Sequence, residues 1–146
     1  ANESLKGGGI FCFDADPIIE DCYIFNNNAS YDGGGIYLTN SSTANISGSA
    51  IHNNFADQTG INHTTHGKGG AIFCSNSNLT IDDNSEIYLN ESSNSGGGAY
   101  FTSSTNVEFN ECDIYSNTAS YGGGIYACEN SAIKVTNNSV LNLSMN

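Results

Sequence analysis

The sequence predicts an all-β chain: a right-handed parallel β-helix, or solenoid, of about five coils with three short strands per coil. Three observations carry this. A glycine phrase returns five times, an aliphatic–asparagine phrase returns in step with it, and the apolar stretches alternate with period two, never 3.6.

The glycine phrase reads Gly7-Gly8-Gly9-Ile10-Phe11, Gly33-Gly34-Gly35-Ile36-Tyr37, Gly69-Gly70-Ala71-Ile72-Phe73, Gly96-Gly97-Gly98-Ala99-Tyr100 and Gly122-Gly123-Gly124-Ile125-Tyr126, with starts 26, 36, 27 and 26 apart. The second phrase is Cys or Ser, any residue, an aliphatic, two residues, then Asn. It centres on Ile24, Ile51, Ile87 and Ile114, with a degraded copy at Leu141, at steps of 27, 36, 27 and 27. Both series share the one long step, so the unit is about 27 residues and a single insertion, Phe55 to Lys68, protrudes as a loop. Between the phrases lies a third alternating stretch: Pro17/Ile19, Ala44/Ile46, Leu79/Ile81, Val107/Phe109 and Ile133/Val135. Propeller blades need about 40 residues and four strands each, and hairpins would not return identical residues to the same place. Stacked coils do, because each residue then lies on its copy about 4.8 Å away, and five coils stand about 24 Å tall.

Each element then has a physical reason. The glycine triplets turn the chain into the first strand, by positive φ or close backbone approach; no helix follows them to complete a phosphate-binding loop. Inward rows are Ile10, Ile36, Ile72, Ala99, Ile125 and Cys12, Leu38, Cys74, Phe101, Ala127 on one sheet. Ile19, Ile46, Ile81, Phe109, Val135 line a second, and Ile24, Ile51, Ile87, Ile114, Leu141 a third. Asn27, Asn54, Asn90 and Asn117, with Ser144 below, form an asparagine ladder at a corner, where Asn tolerates the αL backbone and its amide bonds the copies above and beneath. At 146 residues, one domain spanning 1–146 is expected.

The charge balance excludes whole classes of function. Only Lys6, Lys68 and Lys134, and no Arg, stand against 15 carboxylates, for a net charge of −12, so no nucleic-acid partner is expected. No run approaches 18 apolar residues and no basic start precedes an apolar stretch, so neither membrane insertion nor an uncleaved signal peptide is expected.

The phrases Gly33-Gly34-Gly35-Ile36-Tyr37 and Ile114-Tyr115-Ser116-Asn117 resemble the repeats of the chlamydial polymorphic membrane proteins and related β-helix surface proteins, and the resemblance covers nearly the whole chain. It implies a secreted or surface-displayed passenger serving in adhesion or as a scaffold. These repeats are architectural and carry no catalytic motif.

Five cysteines in such a chain suggest disulfides, with pairs Cys12–Cys22 and Cys112–Cys128 and a buried free Cys74; the alternative is five small core residues. Nine Asn-x-Ser/Thr sequons, at Asn2, Asn28, Asn40, Asn45, Asn62, Asn78, Asn90, Asn137 and Asn142, exceed the roughly four that composition gives by chance. Asn28, Asn40, Asn45, Asn62 and Asn78 are the glycosylation candidates, and Asn90, in the ladder, is expected bare. Phe11, Tyr37, Phe73, Tyr100 and Tyr126 should form an exposed aromatic row, and Phe25, His52, Tyr88 and Tyr115 another, covered by a neighbouring subunit, attached sugar or a bound glycan.

An enzyme would need carboxylate pairs, which Asp14, Asp16, Glu20 and Asp21, or Asp82 and Asp83, could supply; solvated corners are the commoner role. His63 and His66 have a metal-compatible spacing but no further ligands, so no metal and no cofactor are expected. The reading is a non-enzymatic, extracellular structural or adhesive protein, ahead of a glycan-binding module and of a carbohydrate-active enzyme. With no polar cap at either end, head-to-tail stacking of copies into a filament is expected, the alternative being a window on a longer β-helix.

Overall fold

The computed structural model describes residues 2–57, 65–137 and 139–141. Every strand pairing among them is parallel, and each coil climbs onto the one before it. The strands gather into four sheets, one more than the expected three. The first sheet holds Asn2–Lys6, Asn27–Asp32, Phe55–Ala56 and Glu91–Ser92. The second holds Ile10–Phe13, Ile36–Thr39, Ile72–Ser75, Ala99–Thr102 and Ile125–Ala127. The third holds Ile18–Glu20, Thr43–Ser47, Asn78–Asp82, Asn106–Asn110 and Ala132–Thr136. The fourth holds Tyr23–Phe25, Ala50–His52, Glu86–Tyr88, Asp113–Tyr115 and Val140–Leu141.

The registers place like on like. Ile10, Ile36, Ile72, Ala99 and Ile125 are partners down the second sheet, Ile19, Ile46 and Ile81 down the third, and Ile24, Ile51, Ile87 and Ile114 down the fourth. Their side chains meet in one central core in which Ile36, Ile46, Ile72, Ile81, Phe101 and Phe109 have no solvent contact. Burying each contributes roughly 2 kcal/mol against the ordering of its short strand.

The sheet missing from the sequence reading contributes small residues. Ala29, Ala56 and Ser92 point inward and are buried, so its alternation is written in Ala and Ser instead of Ile and Val. Glycine makes room beside it. Gly33 has φ +68°, the left-handed region, whereas a Cβ on Gly34 would overlap the Gly70 carbonyl oxygen and the Phe55 backbone. Both expected reasons for the triplet operate, at different positions.

The asparagine ladder is present and fully bonded. Asn27 Nδ2 donates to Asn54 Oδ1, Asn54 Nδ2 to Asn90 Oδ1 and Asn90 Nδ2 to Asn117 Oδ1, each at 3.0 Å. Each of those oxygens also accepts the backbone N–H of the donor residue, and the second amide hydrogens of Asn54, Asn90 and Asn117 go to the carbonyls of Ile24, Ile51 and Ile87 at 2.8–2.9 Å. Asn2 extends the column upward with a 2.9 Å bond to Asn27 Oδ1. One detail is corrected: positive φ falls on Asn26, Asn53, Leu89 and Ser116, the residues just before the ladder, which turn the chain so that the next amide points inward. Ser144 lies outside the described residues.

The insertion is narrower than Phe55 to Lys68. Phe55 and Ala56 belong to the first sheet, and Lys68 bridges Asp32 and Ser95 in the neighbouring coils. Its two ends are pinned to the preceding coil, where Asp57 N donates to Ala29 O at 2.8 Å and Gly67 N to Tyr31 O at 2.7 Å.

A single cut in the ladder should therefore propagate through several bonds. Asn90→Ala leaves at least two buried backbone groups unpaired and is expected to cost about 3 kcal/mol or more in denaturant unfolding. Asn45→Ala, on an exposed outward position, should stay within about 0.5 kcal/mol of the parent.

Candidate functional site

With the interior filled, chemistry available to a partner lies on the outer columns. On the second sheet, residues alternating with the core rows stack face to face. Phe11, Tyr37, Phe73, Tyr100 and Tyr126 have successive centroid separations of 5.3, 4.6, 5.4 and 5.2 Å, with planes within 10° of parallel. The row was expected to be exposed, and its middle is not. Tyr37, Phe73 and Tyr100 are buried in a cluster of their own, Tyr126 is half-buried, and only Phe11, 52% accessible, is open. Each ring covers its neighbours' faces, and two of the three lysines lie over them, Lys6 Nζ 5.0 Å from the Tyr37 centroid and Lys68 Nζ 4.9 Å from that of Tyr100.

Phe25, His52, Tyr88 and Tyr115 form a second such ladder on the fourth sheet, at 5.2, 4.8 and 5.1 Å. Here too the faces are turned along the axis, so ring edges meet solvent. A sugar stacks on a ring face. Neither row offers one except at its end, where Phe11 and Phe25 (48% accessible) present theirs.

The lysine positions had a signal in the sequence. Lys6, Asp32, Lys68, Ser95 and Tyr121 each precede a glycine phrase and fall in one column, in which Asp32 bridges Lys68, Lys68 bridges Ser95 and Ser95 bridges Tyr121. Asp32 is buried, which raises its pKa, while His66 Nδ1 at 3.3 Å and the Lys68 N–H at 3.1 Å pull the other way. His66 stacks on Tyr31 at 4.3 Å. The residue expected beside it, His63, lies outside the described residues. Among the described residues no group of three or more His, Cys, Asp or Glu could hold a metal ion.

Of the carboxylates weighed as acid–base candidates, Asp14, Asp16, Asp21 and Asp83 sit at corners, while Glu20 and Asp82 end strands of the third sheet. Asp14, Asp21 and Asp83 have φ of 52°, 50° and 52°, turning the chain where Asn or Gly serves in other coils, and Asp16 Oδ1 accepts the Thr43 N–H at 2.8 Å. Asp82 is the perturbed member. Burial, then Asp83 and Glu20, raise its pKa.

All five cysteines are free, so neither predicted disulfide is present. Cys12 points into the core from the second sheet, whereas Cys22 sits at the corner before the fourth, its thiol on the Glu20 carbonyl at 3.0 Å. Cys112 is buried in the central core, while Cys128 packs outside, 3.4 Å from the Tyr100 hydroxyl and from Thr102 Oγ1. The members of each pair thus occupy different sides of the coil wall. Cys74 is buried, with its thiol pushed up to about 12 by desolvation.

Among the sequons, Asn40, Asn45 and Asn78 are exposed, Asn28 is half-buried and Asn90 is buried in the ladder; Asn62 and Asn142 lie outside the described residues.

A family model described as the right handed beta helix region matches residues 2–140. No curated protein and no solved structure matches the chain.

Two measurements check this surface. Thiol labelling of the native protein should modify Cys22 quickly, Cys128 slowly, and Cys12, Cys74 and Cys112 only on unfolding, in reducing and non-reducing buffers alike. Because the Asp82 pKa is raised in the fold, its charge destabilises the native state at neutral pH. Asp82→Asn should raise the melting temperature at pH 7, and the gain should fade as the pH falls through the raised folded value toward the unfolded 3.8, below which it is absent.

Proposed function

The chain belongs to the right-handed β-helix family, and from that we propose that it is an extracellular structural or adhesive element, a subunit or segment of a surface filament that grows by end-to-end coil stacking. It is read as a rod and not as a catalyst. The observation that carries the reading is the identity of the columns. The first four coils meet through the same asparagine, the same aliphatic rows and the same ring stacks, so that the face of one repeats the face of the next.

Two features support it. The open faces of Phe11 and Phe25 look along the axis toward a further coil, and Ile133 and Val135, 37% and 42% accessible in the fifth coil, are the core positions that such a coil would cover. Of the carboxylates that a glycosidase would need, Asp14, Asp21 and Asp83 stand on positive-φ turns and Asp16 Oδ1 is engaged by the Thr43 N–H. The resemblance of the glycine and asparagine phrases to surface-protein repeats points to the same class. Glycan capture on the aromatic rows is disfavoured, because their ring faces are covered.

Sedimentation and negative-stain microscopy of the purified chain test the assembly. Concentration-dependent rods one coil stack wide are expected, and Phe11→Asp with Phe25→Asp should abolish them while circular dichroism stays that of the parent. A chain that remains monomeric at high concentration, or rods unchanged by the double substitution, overturns the stacking.

A further inference from the structure

The nine sequons are equivalent in sequence, and the fold separates them. A folded chain can carry an N-glycan only where the asparagine Nδ2 is turned to solvent and not tied into the fold's own hydrogen bonds. Asn90 fails outright: its Nδ2 donates to Asn117 Oδ1, Ile51 O and Tyr88 O at 2.9–3.0 Å. Asn2 and Asn137 donate theirs to Asn27 Oδ1 and Asn110 Oδ1. Asn28 has its Oδ1 buried, and the sequon hydroxyl of Asn40, on Ser42, is buried and bonded to Thr39 O and Ala15 N. Asn45 and Asn78 share an exposed amide with Asn40 and differ from it in that their sequon hydroxyls, on Ser47 and Thr80, are not buried. Both are exposed, and neither Nδ2 makes a hydrogen bond among the described residues, Asn78 using only its oxygen to accept from Asn106.

Both also project from one surface, the outer face of the third sheet. Asn45 pairs with Thr80, the hydroxyl residue of the Asn78 sequon, so the two asparagines sit on adjacent strands two residues apart. That offset is roughly 8 Å from the strand spacing and rise, enough for two sugar cores side by side. A second observation marks this face as covered. Ile18, the partner of Asn45 on its other side, lies in the end strand of the sheet, faces outward and is 71% accessible. It borders a shallow depression of about 510 Å³ lined by Pro17, Ile18, Ala44, Asn45 and Thr80.

We propose that the outer face of the third sheet is a glycan-bearing face, carrying paired N-linked oligosaccharides at Asn45 and Asn78, the first of which packs over Ile18. The inference rests on the extracellular reading above. In the attachment step Nδ2 forms a bond to C1 of the first N-acetylhexosamine of a polyprenyl-pyrophosphate-linked oligosaccharide. The C1–O bond to the pyrophosphate breaks, the lipid pyrophosphate departs, and the nitrogen loses one proton. Such a face would turn sugar outward on one side of the rod and leave its ends bare for stacking.

Translation of the chain behind a secretory leader into microsomes supplies the donor whatever the protein's native destination. Site occupancy is read by mass spectrometry of peptides released by peptide N-glycosidase in heavy-oxygen water. Asn45 and Asn78 are expected to be occupied in the protease-resistant, folded fraction, and Asn90 only in the protease-sensitive one. Thr80→Ala should empty Asn78 alone, and Thr80→Ser should keep it. Enzymatic removal of the sugars should raise binding of an apolar dye, and Ile18→Ser should remove that rise. Bare Asn45 and Asn78 in the folded fraction, or occupied Asn90 within it, overturns the proposal. Occupied sites in microsomes with no glycan on protein taken from its own cells overturn the extracellular reading instead.

Discussion

The fold depends on one constraint: each coil must lie on the next at the spacing of a parallel sheet, with every backbone group at the corners satisfied. A corner is where a solenoid is weakest, since the chain leaves its strand and its amides lose their partners. The asparagine ladder answers this. Each side chain accepts two bonds from the coil above and gives one to the coil below, while its second hydrogen serves the carbonyl of the preceding coil's strand. With that corner fixed, other columns follow. Rings on an outward column are brought within 4.6–5.4 Å and become parallel, and Gly34 must lack a side chain because the neighbouring coil lies where a Cβ would go.

The same constraint decides where extra chain can enter. The insertion leaves after Asp57 and is back by Gly67, and both residues are hydrogen-bonded to the first-sheet strand of the coil before. The bonds from Asn54 to Asn90 and from Lys68 to Asp32 keep their place across it. Residues added between two pinned points of one corner change no register, whereas one residue added inside a strand would turn its core row to solvent.

What the sequence disclosed, and what it hid, follows from how each feature is written. The aliphatic columns and the asparagine ladder were legible because large or distinctive residues return at a fixed interval. The first sheet was not, because its inward residues are Ala29, Ala56 and Ser92, which carry no strand preference and stand next to glycine. The turn residue was misplaced by one because asparagines run together at Asn26-Asn27-Asn28 and Asn53-Asn54, although Leu89 and Ser116 at the same position take the identical conformation. Sequence spacing suggested the disulfides, but sidedness prevents them, and a separation of ten or sixteen residues does not reveal on which side of a wall a thiol lies. The aromatic row was placed correctly and its exposure was not, since alternation tells direction while cover comes from the ring above, the ring below and a lysine at the coil's edge.

A net charge of −12 on so small a body would be expected to work against compaction, and it becomes tolerable only when charges are followed down the columns. Two carboxylates in successive coils would stand about 5 Å apart, a repulsion near 1 kcal/mol even in water. The third sheet's last column interposes Ser47 between Glu20 and Asp82, and the corner beside it interposes Gly48 between Asp21 and Asp83. In two other columns unlike charges meet, Asp32 between Lys6 and Lys68 and Glu108 accepting Lys134 at 2.7 Å, whereas on the fourth sheet Glu86 and Asp113 are register partners, like on like. Asp82, with Asp83 next to it along the chain and Glu20 nearby, is a place where spacing down the column does not suffice, and its carboxyl is the one on that corner whose proton is held more tightly than usual. In the Lys6–Asp32–Lys68 column and at Glu108, charge is thus paired in the direction of stacking, the direction in which the hydrogen bonds, the rings and the core are also arranged, while Glu86 and Asp113 stand like on like in that same direction.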